Sequence, residues 1–292
     1  MVRYAKPRSL DEALALMSED RWRVLAGGTD FYPALGAKPL REDVLDINGL
    51  DDLRGISDTS SHLVIGARTT WADIVSASLS PAFHALKQAA REVGSVQIQN
   101  TGTIAGNLCN ASPAADGVPA LLILDAEVEI ASPKGRRFEP LERFVRGNRK
   151  TALAPDELVT AIRLPKPSLA GTSSFFKLGA RRYLVISIAM AAVRIVVGED
   201  GSVTEAAVAV GACSAVAKRL GGLEQALLGR DARSFSAEAL DERHFAELAP
   251  IDDVRGSAEY RRAAAREIVA RALSAAAEVT MQDAKPAKEC AA

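Results

Sequence analysis

Apolar and polar positions alternate along this chain in segments that change period several times. Ser9-Leu-Asp-Glu12 has the form of a capping box, and Leu10, Ala13, Leu14 and Met17 behind it share one helical face. Arg23 to Ala26 is a short apolar run that stops at Gly27-Gly28, the pattern of a buried strand entering a tight turn. Val44–Ile47, Leu63–Ile65, Glu127–Ala131 and Leu158–Leu164 are expected to be strands. Thr70-Trp-Ala-Asp73 opens a short helix, Pro81 starts a longer one that Gly94 ends, and Val118–Leu124 reads as a helix or a buried segment. Lys166-Pro-Ser-Leu-Ala-Gly-Thr-Ser-Ser174 is rich in turn formers and marks a boundary. Beyond it, Phe175–Ala180, Ile186–Val197 and Val203–Cys213 read as long strands, and Ala217–Leu228 and Ala258–Ala277 as helices. Strands followed by helices predict an α+β domain in this half. No internal repeat is visible, and the tail from Gln282 onward is polar.

The segment Gln97–Asp116 breaks these rhythms. It carries two glycines, two threonines, three asparagines, a serine and an aspartate between apolar flanks, more small polar residues than a core strand uses. It reads as a loop that lays its backbone against a ligand. Gly102 and Gly106 allow close approach, successive N–H groups can form an anion-binding concavity, and Thr101, Thr103, Asn107 and Ser112 add donors. Val24-Leu-Ala-Gly-Gly-Thr-Asp-Phe31 is a second segment of the same kind. Two such turns suit a diphosphate held from two sides. They also suit two ordinary β-turns, because the same residue types dominate those.

Bulk properties narrow the choices. With 292 residues the chain has room for two domains. Thirty-six Lys and Arg against 37 Asp and Glu leave a formal charge of −1, and no basic face of the kind that binds nucleic acid stands out. Lys134-Gly-Arg-Arg137 and Arg143–Lys150 read as solvated loop faces. The longest apolar run, Ile186–Val197, is interrupted by Arg194 and is too short to span a bilayer; the N-terminus lacks a signal-peptide core, so a cytoplasmic location is expected. Cys109, Cys213 and Cys290 are far apart, as are His62, His84 and His244, so no metal is expected on this chain. Cys109 reads as a small buried residue. No G-x-G-x-x-G follows a strand, and Gly147-Asn-Arg-Lys-Thr151 lacks the earlier P-loop glycine. Asp51-Asp52 and Asp252-Asp253 read as turn or cap residues, so no acid–base pair or catalytic triad emerges.

Ala26-Gly27-Gly28-Thr29-Asp30, Gly102-Thr-Ile-Ala-Gly-Asn107, Ala111-Ser-Pro-Ala-Ala-Asp116, Asp156-Glu-Leu-Val-Thr-Ala-Ile-Arg-Leu-Pro165 and Phe175-Phe-Lys-Leu-Gly-Ala-Arg-Arg-Tyr183 occur in this order. Together they resemble, over nearly the whole chain, the FAD-binding medium subunit of the xanthine dehydrogenase / carbon monoxide dehydrogenase family of molybdenum hydroxylases. The resemblance implies an α+β protein. It has a two-lobe PCMH/VAO-type FAD-binding domain over residues 1–170, with lobes of about 1–55 and 56–170, a small C-terminal domain of three antiparallel strands and helices over 171–282, and a tail over 283–292.

The resemblance further implies that FAD is held by Val24, Leu25, Ala26, Gly27, Gly28, Thr29, Asp30 and Phe31, and by Thr101, Gly102, Thr103, Ile104, Ala105, Gly106, Asn107 and Ser112. Asp116, Val159 and Lys177 match further family positions. On the residues alone, Asp116 has a helix N-cap as its alternative reading, Lys177 an exposed strand residue, and Val159 and Val93 core. Three departures bear on flavin tuning: Ala105 replaces a glycine, Gln99 an arginine, and Leu184 an acid found in some members. The implied function is electron transfer from [2Fe-2S] clusters on a small partner through FAD to NAD+, a quinone or O2. A large partner holds molybdopterin, and the assembly is a dimer of heterotrimers. A stand-alone flavin oxidoreductase and a non-catalytic scaffold are the rival readings.

Overall fold

A computed structural model of the chain describes residues 2–283. Its first sheet is parallel. Strands β1 (Tyr4–Ala5), β2 (Arg23–Leu25) and β3 (Val44–Asp46) lie in the order β1-β3-β2. Helix α1 (Leu10–Glu19) packs Ala13, Leu14 and Met17 into one cluster with Leu45, Ile47, Leu50 and Leu53. Ser9 Oγ accepts the Glu12 N–H at 3.2 Å, as its capping sequence predicts. A five-residue helix, α2 (Phe31–Leu35), follows β2 directly after the Gly27-Gly28 turn.

The second sheet is antiparallel, in the order β4-β5-β10-β6-β7. Its strands are β4 (Ile56–Asp58), β5 (His62–Gly66), β6 (Glu127–Ser132), β7 (Gly135–Pro140) and β10 (Leu158–Pro165); β8 (Val145–Gly147) and β9 (Lys150–Thr151) form a small separate hairpin. Between β5 and β6 runs a helical layer of α3 (Trp71–Ser76), α4 (His84–Glu92), α5 (Val96–Thr101), α6 (Ile104–Asn110) and α7 (Gly117–Leu122), with α8 (Leu141–Phe144) after β7. The polar segment expected as one long loop is thus two short helices broken at Gly102. Side-chain caps explain the difference: Ser95 Oγ accepts from the Ile98 N–H and Thr103 Oγ1 from the Gly106 N–H, so the small polar residues start helices.

The C-terminal sheet has order β11-β12-β13-β14, from β11 (Thr172–Leu178), β12 (Ala189–Val197), β13 (Val203–Gly211) and β14 (Lys218–Arg219). Three strands were expected. The fourth arises where a helix was expected, because Lys218 and Arg219 pair with Val210 and Ala209, and helix α9 begins only at Gly221 (Gly221–Leu227). Helix α10 (Ala258–Asp283) runs past its expected end, and the rest of the anticipated tail lies outside the described residues. Among the described residues, no helix is long and apolar enough to cross a membrane.

Strand β12 is buried on both faces, which is why it reads as a nearly unbroken apolar run. Ala189, Ala191, Val193 and Ile195 join a core with Ala265, Val269 and Leu273 of α10, while Met190 and Ala192 join the core of α4 and α7. Arg194, the one charge in the run, is 5 % exposed. Its guanidinium donates to Ile123 O and Ala170 O, both at 3.1 Å, and to half-exposed Glu205 at 3.2 Å, so it ties the C-terminal sheet to the end of the helical layer. We predict that Arg194→Met, which strands the buried Ile123 carbonyl, costs about 1–3 kcal/mol of unfolding free energy. Glu205→Gln, altering a solvent-screened partner, costs under about 1 kcal/mol. Denaturant unfolding of both variants checks the contrast.

Candidate functional site

A cleft of about 550 Å³ opens where the two glycine-rich segments meet. That is within the usual range of about 300–1,000 Å³ for cofactor sites. Strand β2 delivers the chain into the first turn, and Asn48 Nδ2 fixes the turn's entry by donating to Ala26 O at 2.9 Å. Asn48 is itself anchored through Asp46, whose oxygens accept from the Tyr4 hydroxyl at 2.5 Å and from the Asn48 N–H at 2.9 Å. Burial alone lifts the Asp46 carboxyl, but these donors hold it below its usual range. Among the described residues, the N–H groups of Gly27, Gly28, Thr29 and Asp30 donate to no protein acceptor, which leaves a row of backbone donors beside the cleft. Gly28 takes φ +73°, a conformation that favours glycine.

The second segment meets the first directly. A Cβ on Gly27 would stand 1.9 Å from Thr101 O, and one on Gly102 would stand 2.9 Å from Ile98 O. These glycines are bare so that chain can lie on chain, whereas the residue pattern alone suggested a surface bared to a ligand. The amides also divide differently from expectation. Ile104 N–H donates to Thr69 O, Ala105 N–H to Ala67 O and Gly106 N–H to Thr103 Oγ1, so the second segment keeps few donors and the first supplies most of them. Trp71, 1 % exposed, underlies the junction: its N–H donates to Gly102 O at 3.2 Å. Its ring lies so close to Gly117 that a Cβ there would meet it at 2.4 Å. Asn107 Oδ1 is buried at the cleft with no donor among the described residues, an acceptor waiting for a ligand N–H or O–H.

The far wall comes from β10 and the segment before it. Leu153, Glu157, Leu158 and Val159 line it. Glu157 accepts a bidentate pair from Arg137, both bonds 2.7 Å, and this guanidinium, with burial opposing, holds the Glu157 carboxyl below its usual range. Arg23 at the other wall stacks on the Phe31 ring at 4.3 Å and pairs with Glu42 at 3.0 Å.

Of the residues expected to hold a cofactor, Val24, Ala26, Gly27, Gly28, Thr29, Asp30, Phe31, Gly102, Thr103, Ala105, Gly106, Asn107 and Val159 line the cleft. Leu25 and Ile104 are buried, Thr101 turns its hydroxyl to Gln97 O, and Ser112 Oγ accepts from the Ala114 N–H. Asp116 and Lys177 bind each other at 2.6 Å beneath the cleft wall. The side chains are only 7 % and 6 % exposed, so Lys177 is not the exposed strand residue that its position alone allowed. Burial, the largest influence, lifts the Asp116 carboxyl above its usual range against the pull of Lys177 and Ser187. Cys109, expected to be a small buried residue, keeps exposed surface and lines the cleft, although the protein packed around its thiol desolvates it and pushes it up to about 12; Arg149, exposed as expected of its run, lines the cleft too. Arg149 has φ +58°, and its guanidinium bonds Asn110 Oδ1. No periodicity marks Trp71, Cys109 or Arg149 as cleft residues; only the left-handed backbone at Arg149 and Ala111 flags this wall, and that is invisible in sequence.

This fold and cleft define a class of protein. Residues 1–167 match the family of the FAD binding domain in molybdopterin dehydrogenase, and residues 174–276 the CO dehydrogenase flavoprotein C-terminal domain. The chain belongs to this family, as its motifs led us to expect, and its cofactor is FAD. It is 31 % identical over 280 residues to the carbon monoxide dehydrogenase medium chain of Hydrogenophaga pseudoflava, covering 94 % of this chain and 96 % of that one. It is 30 % identical over 282 residues to the xanthine dehydrogenase FAD-binding subunit of Escherichia coli O157:H7, with the same coverage of 94 % and 96 %. A crystal structure of the cyanide-inactivated Cu,Mo-CO dehydrogenase superposes with a TM-score of 0.86 at 27 % identity, over 95 % of this chain and 98 % of that one.

Gly27→Ala forces apart the two segments and is expected to cost about 1–3 kcal/mol of stability, together with FAD affinity. Gly221→Ala, where a Cβ meets nothing within 4 Å, is expected to cost neither, as unfolding and FAD titration will show. The depressed carboxyls of Asp46 and Glu157 have folded pKa values below their unfolded ones. Their stabilisation is therefore complete above about pH 5 and is lost as pH falls through the folded values. The unfolding midpoint is expected to drop in that acid limb, and Glu157→Gln is expected to flatten it.

Proposed function

We propose that this chain is the electron-transfer subunit of a heterotrimeric molybdenum hydroxylase. Its large partner would carry molybdopterin and oxidise the substrate, and its small partner would carry the [2Fe-2S] clusters. The acceptor would be NAD+, O2 or a quinone, and the complex would pair into a dimer of heterotrimers. Support comes from the family match and from relatives whose names describe medium chains and FAD-binding subunits of dehydrogenases. The single observation that carries the site is that the unpaired amides of Gly27–Asp30 and the orphaned Asn107 oxygen belong to residues lining one cleft.

FAD supplies the redox chemistry when bound; the protein's task is to hold it and exclude competing reactions. In this reading the Gly27–Asp30 amides hold the diphosphate without bulky side chains. Thr103 and Asn107 add polar contacts, and Val93 and Val159 offer apolar surface on the walls. Residues 1–170 would form the flavin-holding part, with lobes of about 1–55 and 56–170, and residues 171–282 the second domain. No proton donor is required of this chain.

The purified chain is expected to be yellow, or to become so on reconstitution, with near-equimolar FAD in its visible spectrum. A colourless chain that cannot be reconstituted overturns the reading. Bound FAD is expected to slow alkylation of cleft-lining Cys109 while leaving buried Cys213 unreactive in both states, measured by peptide mass mapping. Tagged chain isolated from its native host is expected to bring a molybdenum-containing large subunit and an iron–sulfur small subunit. Isolation without either, or turnover of an organic substrate by the chain alone, refutes the subunit assignment.

A further inference from the structure

Helices α3 and α6 start side by side, pinned by a reciprocal pair of main-chain bonds. The Trp71 N–H donates to Gly102 O at 3.2 Å, and the Ile104 N–H donates to Thr69 O at 3.0 Å. Each start carries its own cap. Thr70 Oγ1 accepts from the Asp73 N–H at 3.2 Å, while an Asp73 carboxylate oxygen accepts from the Thr70 N–H at 3.0 Å. Thr103 Oγ1 accepts from the Gly106 N–H at 3.1 Å. The two helix starts therefore hold Trp71 and Asn107 in fixed positions at the cleft.

The indole edge at this junction is short of a partner. A Cβ on Gly102 would stand 3.5 Å from Trp71 Cδ1, and one on Gly117 would stand 3.2 Å from both Trp71 Cζ2 and Asn107 Oδ1. Nε1 lies on the rim of the ring between Cδ1 and Cζ2, so its N–H points to the space between Gly102 and Asn107, both of which line the cleft. The chain's other tryptophan, Trp22, gives its indole N–H to Leu16 O at 2.9 Å. That of Trp71 meets no protein acceptor among the described residues, although the residue is 1 % exposed. Buried indole N–H groups ordinarily find a partner, and one left without costs about 1–3 kcal/mol. Beside it, Asn107 Oδ1 is a buried acceptor with no donor.

A neighbouring donor and acceptor, both unpaired, select the group that satisfies them. A carbonyl or phosphate oxygen only accepts and would serve the indole alone, and an N–H only donates and would serve the amide oxygen alone. A hydroxyl does both. We propose that Trp71 and Asn107 form a hydroxyl-binding pair at the cleft, and that one sugar hydroxyl of FAD accepts from Trp71 Nε1–H and donates to Asn107 Oδ1. This rests on the cofactor reading above and adds Trp71 to the residues that touch FAD. The cofactor carries such hydroxyls on its ribityl chain and on its ribose, and the pair suits either.

The test uses the full chain, isotope-labelled at its indole nitrogens and freed of flavin. Its two tryptophans give two indole N–H signals in nuclear magnetic resonance, told apart with Trp22→Phe. On titration with FAD the Trp71 signal is expected to move downfield and its hydrogen exchange to slow, while the Trp22 signal stays in place. Trp71→Phe, which keeps a ring and removes the donor, is expected to weaken FAD binding about tenfold. Competition by riboflavin and by ADP then locates the hydroxyl: the same loss is expected with riboflavin alone for the ribityl chain, or with ADP alone for the ribose. A loss shared by both fragments, or by neither, overturns the proposal, because it reports a change in cleft shape. A Trp71 signal unmoved at saturating FAD overturns it too and means that water fills the pair, as does unchanged FAD affinity in a folded Trp71→Phe chain. If Trp71→Phe does not fold, the Trp71 signal of the wild-type chain decides. A wild-type chain that binds no FAD instead sinks the cofactor reading itself.

Discussion

The structure depends on one close approach, the packing of Gly27 against the carbonyl of Thr101. At that contact the first sheet and the helical layer over the second come within a distance that a single methyl group would forbid. The approach closes the floor of the cleft and brings the unpaired amides of Gly27–Asp30 and the small residues of the second segment to the same cavity. Neither segment makes a site alone. The first ends a three-residue strand, and the second is two short helices whose own amides are mostly spent on Thr69, Ala67 and Thr103. An anion site built from main chain needs donors with no other acceptor, and only the first turn retains a row of them.

That asymmetry marks the limit of what residue patterns reveal. Glycine, threonine and asparagine at 97–116 identify a segment that must come close to something, and the reading as part of a binding site follows from that. The patterns do not say whether the close neighbour is a ligand or another stretch of chain, because both demand the same missing Cβ. They also do not distinguish a loop from short capped helices, since serine and threonine serve both. The strands of the C-terminal sheet were legible because a strand buried on both faces is apolar at nearly every position. Arg194 was visible as an interruption, but its three acceptors come from parts of the chain with no sequence relation to it. Lys177 and Asp116 illustrate the same point: 61 residues apart, they are recognisable by family motif as site residues, while their pairing with each other is a tertiary fact.

The second domain then has a physical reason to be there. A cleft between two small sheets is held by few contacts, and α4, which carries one wall, has only nine residues. Isolated helices of that length are marginal in water, so α4 draws its stability and its position from what it packs against. The C-terminal sheet supplies that surface with Phe175, Met190 and Ala192 in the shared core, and fixes the direction of the helix with polar attachments at its start, middle and end. Burying an ion pair at the last of these gains little net stability, because desolvation offsets the attraction. What a buried pair does provide is a strict requirement on geometry, since a shift of either wall would leave a charge unpaired in a low-dielectric interior.

The arrangement of charged residues around the cleft fits the same division of labour. A protein that carries a redox cofactor has to control distance, orientation and access, all of which are properties of shape. The charged groups at this cleft serve that end. Glu157 is committed to Arg137, Arg23 to Glu42 and the Phe31 ring, and Asp46 to Tyr4 and Asn48. Glu157 and Asp46 are held in their charged forms by these partners. Walls whose Glu157 and Arg23 already have protein partners, beside a turn of unpaired amides, leave the ligand as the group that completes the hydrogen bonding of that turn.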